Sequence, residues 1–111
     1  PNVWTDYLVE LNKIRKEYLL SEIIFLKQYN DKLEDSKKKI IASISEIGFN
    51  NTANIYSIAE SSKLGGKLGW IDENNLSEFI LKELKKINEG EYTKVINIKN
   101  NYMISNYYNL Q

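Results

Sequence analysis

The sequence contains no cysteine and no histidine. That excludes nucleophilic thiol chemistry, imidazole acid–base catalysis, disulfides and zinc sites of the usual ligands. Any chemistry rests on carboxylates, hydroxyls, amides or shape, and neither a metal nor a cofactor is expected. Lack of cysteine suits the cytosol and an oxidising compartment equally, so it chooses neither. Net charge is absent too. Fifteen basic residues balance fifteen acidic ones, which removes the long-range attraction that binding to nucleic acid or to an anionic membrane relies on. The longest purely apolar run is Ile23-Ile24-Phe25-Leu26, far short of the roughly 20 residues that span a bilayer, so no membrane insertion is expected.

What is present fits one compact domain: 111 residues, 42% hydrophobic and 12% aromatic, enough for a single core and too few for two. The chain starts at Pro1 with no initiator Met or secretory signal, and we expect a segment of a longer protein with flanking domains.

Glycine is scarce and concentrated. Three of the five glycines fall in Gly65-Gly66-Lys67-Leu68-Gly69-Trp70, a density no ordinary helix would accept. Leu68 and Trp70 alternate around Gly69, so the stretch reads as a tight turn feeding a short strand.

Around it the elements follow from periodicity. Val3, Tyr7, Leu11, Ile14 and Tyr18, widened by Trp4 and Leu8, predict a helix over about 3–16. From Tyr18 to Leu26 both alternating faces are apolar, the mark of a strand central in its sheet. Glu22 is the exception in that strand: a lone carboxylate there must be paired or protonated, or the strand must lie near a sheet edge where it reaches water. Leu33, Ile40, Ile41, Ile44 and Ile47 predict a second helix with Lys37, Lys38 and Lys39 on its solvated face, closed by Gly48. A shorter helix is expected from Thr52 to about Ala59, burying Phe49, Ala53 and either Ile55 or Tyr56.

Beyond Trp70, Asn75-Leu76-Ser77-Glu78 has the form of a capping box. Leu76, Ile80, Leu84 and Ile87, with Phe79 beside them, then form a helical stripe ending near Gly90. Val95, Ile96 and Ile98 read as a strand, Asn100-Asn101 as a hairpin turn because Asn tolerates φ > 0, and Tyr102 to Tyr108 as the partner strand. Helices grouped between strands, with a closing hairpin, give an α+β fold with an antiparallel sheet.

Phe49, Ala53, Tyr56-Ser57, the glycine stretch from Gly65 to Trp70, and Gly90-Glu91 before a closing hairpin together resemble the parvulin-type peptidyl-prolyl isomerase domain. The start Glu22-Ile23-Ile24-Phe25-Leu26 is most similar to the domains of SurA-type periplasmic chaperones. The resemblance covers residues 18 to about 108. It implies a four-stranded antiparallel sheet wrapped by helices, here over 18–111 with the extra N-terminal helix over 1–17, and a shallow apolar groove for proline-containing or extended chains. It also implies prolyl cis–trans isomerisation, rotation about an amide with a barrier of about 18–20 kcal/mol. That reaction needs an apolar slot and surroundings that favour the twisted amide, with no covalent intermediate.

On this resemblance the ring-binding slot falls on Leu68, Leu76 and Ile80 or Phe79, residue types any core would also use. The family's polar centre, commonly a His on the first strand, a Cys or Asp after the Tyr-Ser pair and a second His on the last strand, falls on Glu22, Ala59 and Met103. None of those polar residues is retained. If Glu22 and Met103 both face the groove, the Glu22 carboxyl has a raised pKa or accepts a hydrogen bond from a hydroxyl such as that of Ser57 or Tyr102. The glycine usual before the last strand is Asn101, and the loop Lys27 to Lys32 lacks an arginine cluster to grip phosphate, so phosphorylated substrates are not expected.

Three functions follow: a peptide-binding module of a periplasmic folding factor, with isomerisation weak or absent; a working isomerase; or an assembly domain using the Trp4 helix and exposed tyrosines such as Tyr107 or Tyr108, which as neighbours in a strand face opposite ways. The first is favoured. Its expected partner is unfolded or extended polypeptide, outer-membrane protein precursors included, and its expected location is the periplasm.

Overall fold

A computed structural model describes residue 3, residues 17–26 and residues 33–108. Apart from Val3, the helix expected over 3–16 lies outside the described residues, as does the loop Lys27 to Lys32. The described chain runs β1 (Glu17–Leu26), α1 (Leu33–Ile47), α2 (Phe49–Tyr56), a 3₁₀ turn (Glu60–Leu64), β2 (Lys67–Asp72), a second 3₁₀ turn (Glu73–Asn75), α3 (Glu78–Leu84), β3 (Ile96–Ile98) and β4 (Asn101–Tyr107). One sheet of order β2-β1-β4-β3 results. Every pairing in it is antiparallel.

β1 is central, as its doubly apolar sequence requires. Ile23 and Phe25 face one way, opposite Ile104 and Tyr102 of β4, and make a core with Ile40 of α1 and Ala53 of α2. Tyr18 and Leu20 face the other way and make a second core with Leu84 of α3. Two helices therefore cover one face of the sheet, and the third covers one end of the opposite face.

The connection between α1 and α2 is a single glycine. Gly48, at φ 87°, ends α1 by donating its N–H to Ile44 and caps α2 by accepting from Thr52. α2 consequently begins at Phe49, earlier than expected, and ends at Tyr56, because Ser57 turns extended and its Oγ accepts the Ile24 N–H at 3.0 Å. Ile58 adds a backbone bond to the Ile24 carbonyl. This segment satisfies the outer edge of β1 beyond the reach of β2. Of the apolar side chains assigned to these helices, Ile47, Ile55 and Tyr56 are exposed.

Three further expectations are corrected. The capping box does not form. Leu76 is extended, which puts Asn75 in a 3₁₀ turn capped instead by Asp72, whose Oδ1 accepts from the Asn74 N–H at 2.9 Å, and α3 starts from Ser77 with no side-chain cap. α3 stops at Leu84, short of Gly90, yet Ile87 still packs on the second core from the following turn. The hairpin loop is Lys99-Asn100, with Ile98 paired to Asn101, and the residue at positive φ is Lys99 at 44°. A lysine there carries a left-handed cost that glycine would not. Lys99→Gly is expected to raise stability by about 0.5 kcal/mol; an unchanged or lower urea midpoint would count against that strain.

Candidate functional site

The 3₁₀ turn Glu60–Leu64 ends in Gly65, left-handed at φ 69°, whose N–H is held by Asn54 Oδ1 at 3.0 Å. Gly66 follows at φ 79°. Its N–H donates to the Ser61 carbonyl and its own carbonyl accepts the Glu22 N–H, each at 2.8 Å. A Cβ on Gly66 would stand 2.2 Å from the Glu22 carbonyl oxygen. The glycine pair thus lets the turn lie directly against β1, and the turn delivers Ser61 to the Glu22 side chain.

The next step is a bulge. β2 pairs Gly69 with Leu20 and Lys67 with Ser21, leaving Leu68 without a partner on β1. Trp70 stands opposite Leu19 and is exposed.

Glu22 lies neither at a sheet edge nor in water. It is in the central strand, 9% exposed, and its Oε1 accepts a hydrogen bond from Ser61 Oγ at 2.9 Å. The partner hydroxyl is therefore Ser61, not Ser57, which is occupied with Ile24, and not Tyr102, which faces the other core. Burial raises the Glu22 pKa above the ordinary glutamate value, and the Ser61 hydrogen bond partly opposes that rise. Ser61 is the partner of Glu22 that the sequence reading missed; the hydroxyl pair Ser61-Ser62 just ahead of the glycines was the available signal.

Register places the remaining site residues. Glu22 stands opposite Ser105 and Ile24 opposite Met103, so Glu22 and Met103 share a face with Tyr18 and Leu20. Leu76 and Ile80 pack half-buried against Tyr18, Leu20 and Leu84, on that same face. Met103 is buried, and Ala59 is half-buried at the start of the turn that carries Ser61. Leu68 and Phe79 are exposed and lie outside that packed cluster. The structure therefore separates Ile80, anchored in the core, from Phe79, open to solvent. A concavity of about 210 Å³ lined by Phe25, Leu26, Ser36, Lys39, Ile40, Tyr56 and Ile58 lies beside α1 and includes none of these residues.

The face thus carries an apolar platform, a buried carboxylate with one hydroxyl donor, and exposed apolar side chains in the flanking segments. The family described as Rotamase: PPIC-type PPIASE domain matches residues 24–107. The chain belongs to the PpiC-type, or parvulin, peptidyl-prolyl isomerase family. A crystal structure of a PpiC-type peptidyl-prolyl cis-trans isomerase domain is similar at TM-score 0.68 and 25% identity, covering 81% of this chain and 86% of that one. PrsA from Bacillus subtilis is similar at TM-score 0.71 and 20% identity over 96% of this chain and 39% of its own length. A SurA-like chaperone of Campylobacter jejuni aligns at TM-score 0.69 and 19% identity over 98% of this chain and 46% of its own. The chain spans less than half the length of those two proteins. No curated protein sequence matches at a significant level.

The raised Glu22 pKa has a stability consequence with a definite sign. The folded state holds the proton more tightly than the unfolded chain, so the stability Glu22 contributes is fully present below the unfolded value and is lost as pH rises through the folded one. Glu83 works the other way: the hydrogen bond from Lys86, at 2.7 Å, lowers its pKa, and its contribution is lost as pH falls. Subtracting the urea midpoints of the wild type from those of Glu22→Gln isolates the first group. We expect the difference to grow in favour of the variant as pH climbs from below 4.5. A flat difference would mean that burial does not penalise the Glu22 charge.

Proposed function

We propose that this parvulin domain binds unfolded, extended or proline-containing polypeptide on the Glu22 face as part of an extracytoplasmic folding chaperone, and that it isomerises prolyl bonds weakly or not at all. The observation that carries the reading is the coexistence of an anchored apolar platform, Leu76 and Ile80 on the Tyr18–Leu20–Leu84 core, with a buried carboxylate and a buried methionine, Glu22 and Met103, which the resemblance aligns with the family's polar centre. The platform suits a pyrrolidine ring or any apolar side chain. An ionised carboxylate and a thioether offer no N–H or O–H donor to the amide nitrogen, which gains electron density as twisting ends its resonance with the carbonyl, so nothing at these two positions stabilises the twisted state. The likeness to a SurA-like chaperone supports the chaperone role, and the description of one of the Campylobacter pair as periplasmic supports the location.

The working isomerase is the second reading, favoured by retention of the platform. NMR exchange spectroscopy on an Xaa-Pro peptide with substoichiometric protein separates the two, because uncatalysed exchange takes tens of seconds or longer and even weak acceleration gives cross-peaks. Amide shifts around Leu68, Leu76 and Ile80 without cross-peaks are expected. Strong cross-peaks would establish the isomerase, and neither signal would leave an assembly domain.

A further inference from the structure

The Glu22 carboxylate is incompletely matched. Its Oε1 takes the Ser61 hydroxyl, while Oε2 has no hydrogen-bond or ion-pair partner among the described residues. Among the described residues, the elements around it supply no charged partner. Across β4, on the same face, stand Ser105 and Met103, both buried; on the β2 side stands Gly66; beneath lies Ser61. Glu60 and Lys63 of the same turn are exposed, and neither contributes to the carboxyl's shifted titration. Lys67 pairs with Ser21, whose side chain occupies the other face of the sheet. By contrast, Glu83, the other buried carboxylate among the described residues, is paired with Lys86 and Lys94 at 2.7 and 3.5 Å. A carboxylate left in this state on an apolar face is most stabilised by a ligand that brings a cation or several N–H donors.

Resting on the reading of the Glu22 face as a polypeptide groove, we infer that Glu22 makes this groove selective for segments in which a lysine or arginine stands directly beside the apolar or prolyl residue held on Leu76 and Ile80. The platform takes the apolar residue and the carboxylate takes the neighbouring cation. A segment with glutamate in that place would set two like charges together in partly desolvated surroundings, so acidic segments are rejected. The groove discriminates by charge as well as by shape.

The test uses the whole chain and three blocked tetrapeptides of the form Ala-Xaa-Pro-Phe, with Lys, Gln or Glu at Xaa, titrated by NMR at fixed salt. The Lys peptide is expected to bind about tenfold more tightly than the Gln peptide, and the Glu peptide more weakly than either. Glu22→Gln, its fold checked by the amide spectrum, should abolish the ranking. In the wild type the Lys preference should disappear as pH falls through the Glu22 pKa while Gln-peptide affinity stays level, because the cation favours the ionised carboxylate. Ser61→Ala removes the hydrogen bond that holds that pKa down, so the pH at which the preference disappears should move upward, a response a purely structural Glu22 would not give. Equal affinities for the three peptides, or a ranking that survives Glu22→Gln, would overturn the inference and leave the groove intact. Failure of every peptide to shift any amide on the Glu22 face would instead overturn the groove reading and the inference with it.

Discussion

Gly66→Ala is expected to lose about 2–5 kcal/mol of stability, the sum of the left-handed backbone cost and the overpacking cost. At φ 79° the alanine pays the first, and its Cβ, 2.2 Å from the Glu22 carbonyl oxygen, forces the second, because the obstacle is central-strand backbone rather than a movable side chain. In a domain of this size that corresponds to a thermal midpoint lower by roughly 8–25 °C. Gly69→Ala is the internal control. Its φ is also 79°, yet its Cβ would meet nothing within 4 Å, so only the backbone cost of about 1–2 kcal/mol applies. Thermal unfolding of the two variants side by side checks the argument, and equal losses would show that contact with β1 is not what selects glycine at position 66. The functional corollary is that any Gly66 variant that does fold holds Ser61 away from Glu22, so its carboxyl titrates higher than the wild type's.

The contrast between those two glycines also marks how far sequence reasoning reaches. Density of glycine announces a turn, but it does not say which glycine faces open space and which lies against another strand; that depends on the register of β1 against the turn, a contact between residues far apart in the chain. The same limit explains Glu22. Its strand was legible as central from its two apolar faces, and the parvulin likeness aligned it with a position of the family's polar centre, whereas its hydroxyl partner depended on how a 3₁₀ turn of ordinary polar residues folds back. Elements with strong periodicity, β1, α1 and α3, were legible in kind. Their ends were not, because Ser57 leaves its helix to satisfy the β1 edge and Ile87 keeps its place in the apolar stripe after the helix has stopped. The capping box failed for a related reason: local motif and tertiary position compete, and the extended Leu76, needed to reach the Tyr18–Leu20 core, takes Asn75 out of phase with Glu78.

Leu84→Ala is the second large effect. Leu84 is fully buried in one core with Tyr18 and Leu20, and its truncation leaves a cavity that typically costs about 2–5 kcal/mol. The consequence reaches the proposed groove because α3 is only seven residues long, well below the length at which a helix persists without tertiary contacts. What holds α3 on the sheet is the packing of Leu84, Ile80 and Leu81 against β1. Loosening that contact frees Ile80 and the preceding Leu76 from their fixed positions, so the variant, measured below its unfolding midpoint, should bind an extended apolar peptide more weakly than the wild type. Phe79→Ala separates the two effects. Phe79 is exposed, so its truncation should change stability by no more than about 0.5 kcal/mol. If Phe79 forms the wall of the groove, however, the same variant should lose peptide affinity by about tenfold, the effect of removing an aromatic contact at a binding surface. Urea denaturation and peptide titration on both variants give four numbers with a required pattern: stability and affinity fall together for Leu84→Ala, and affinity alone falls for Phe79→Ala. A Phe79→Ala variant with unchanged affinity would confine the groove to the anchored platform of Leu76 and Ile80, and a Leu84→Ala variant that bound as tightly as the wild type would show that peptide recognition does not pass through α3 at all.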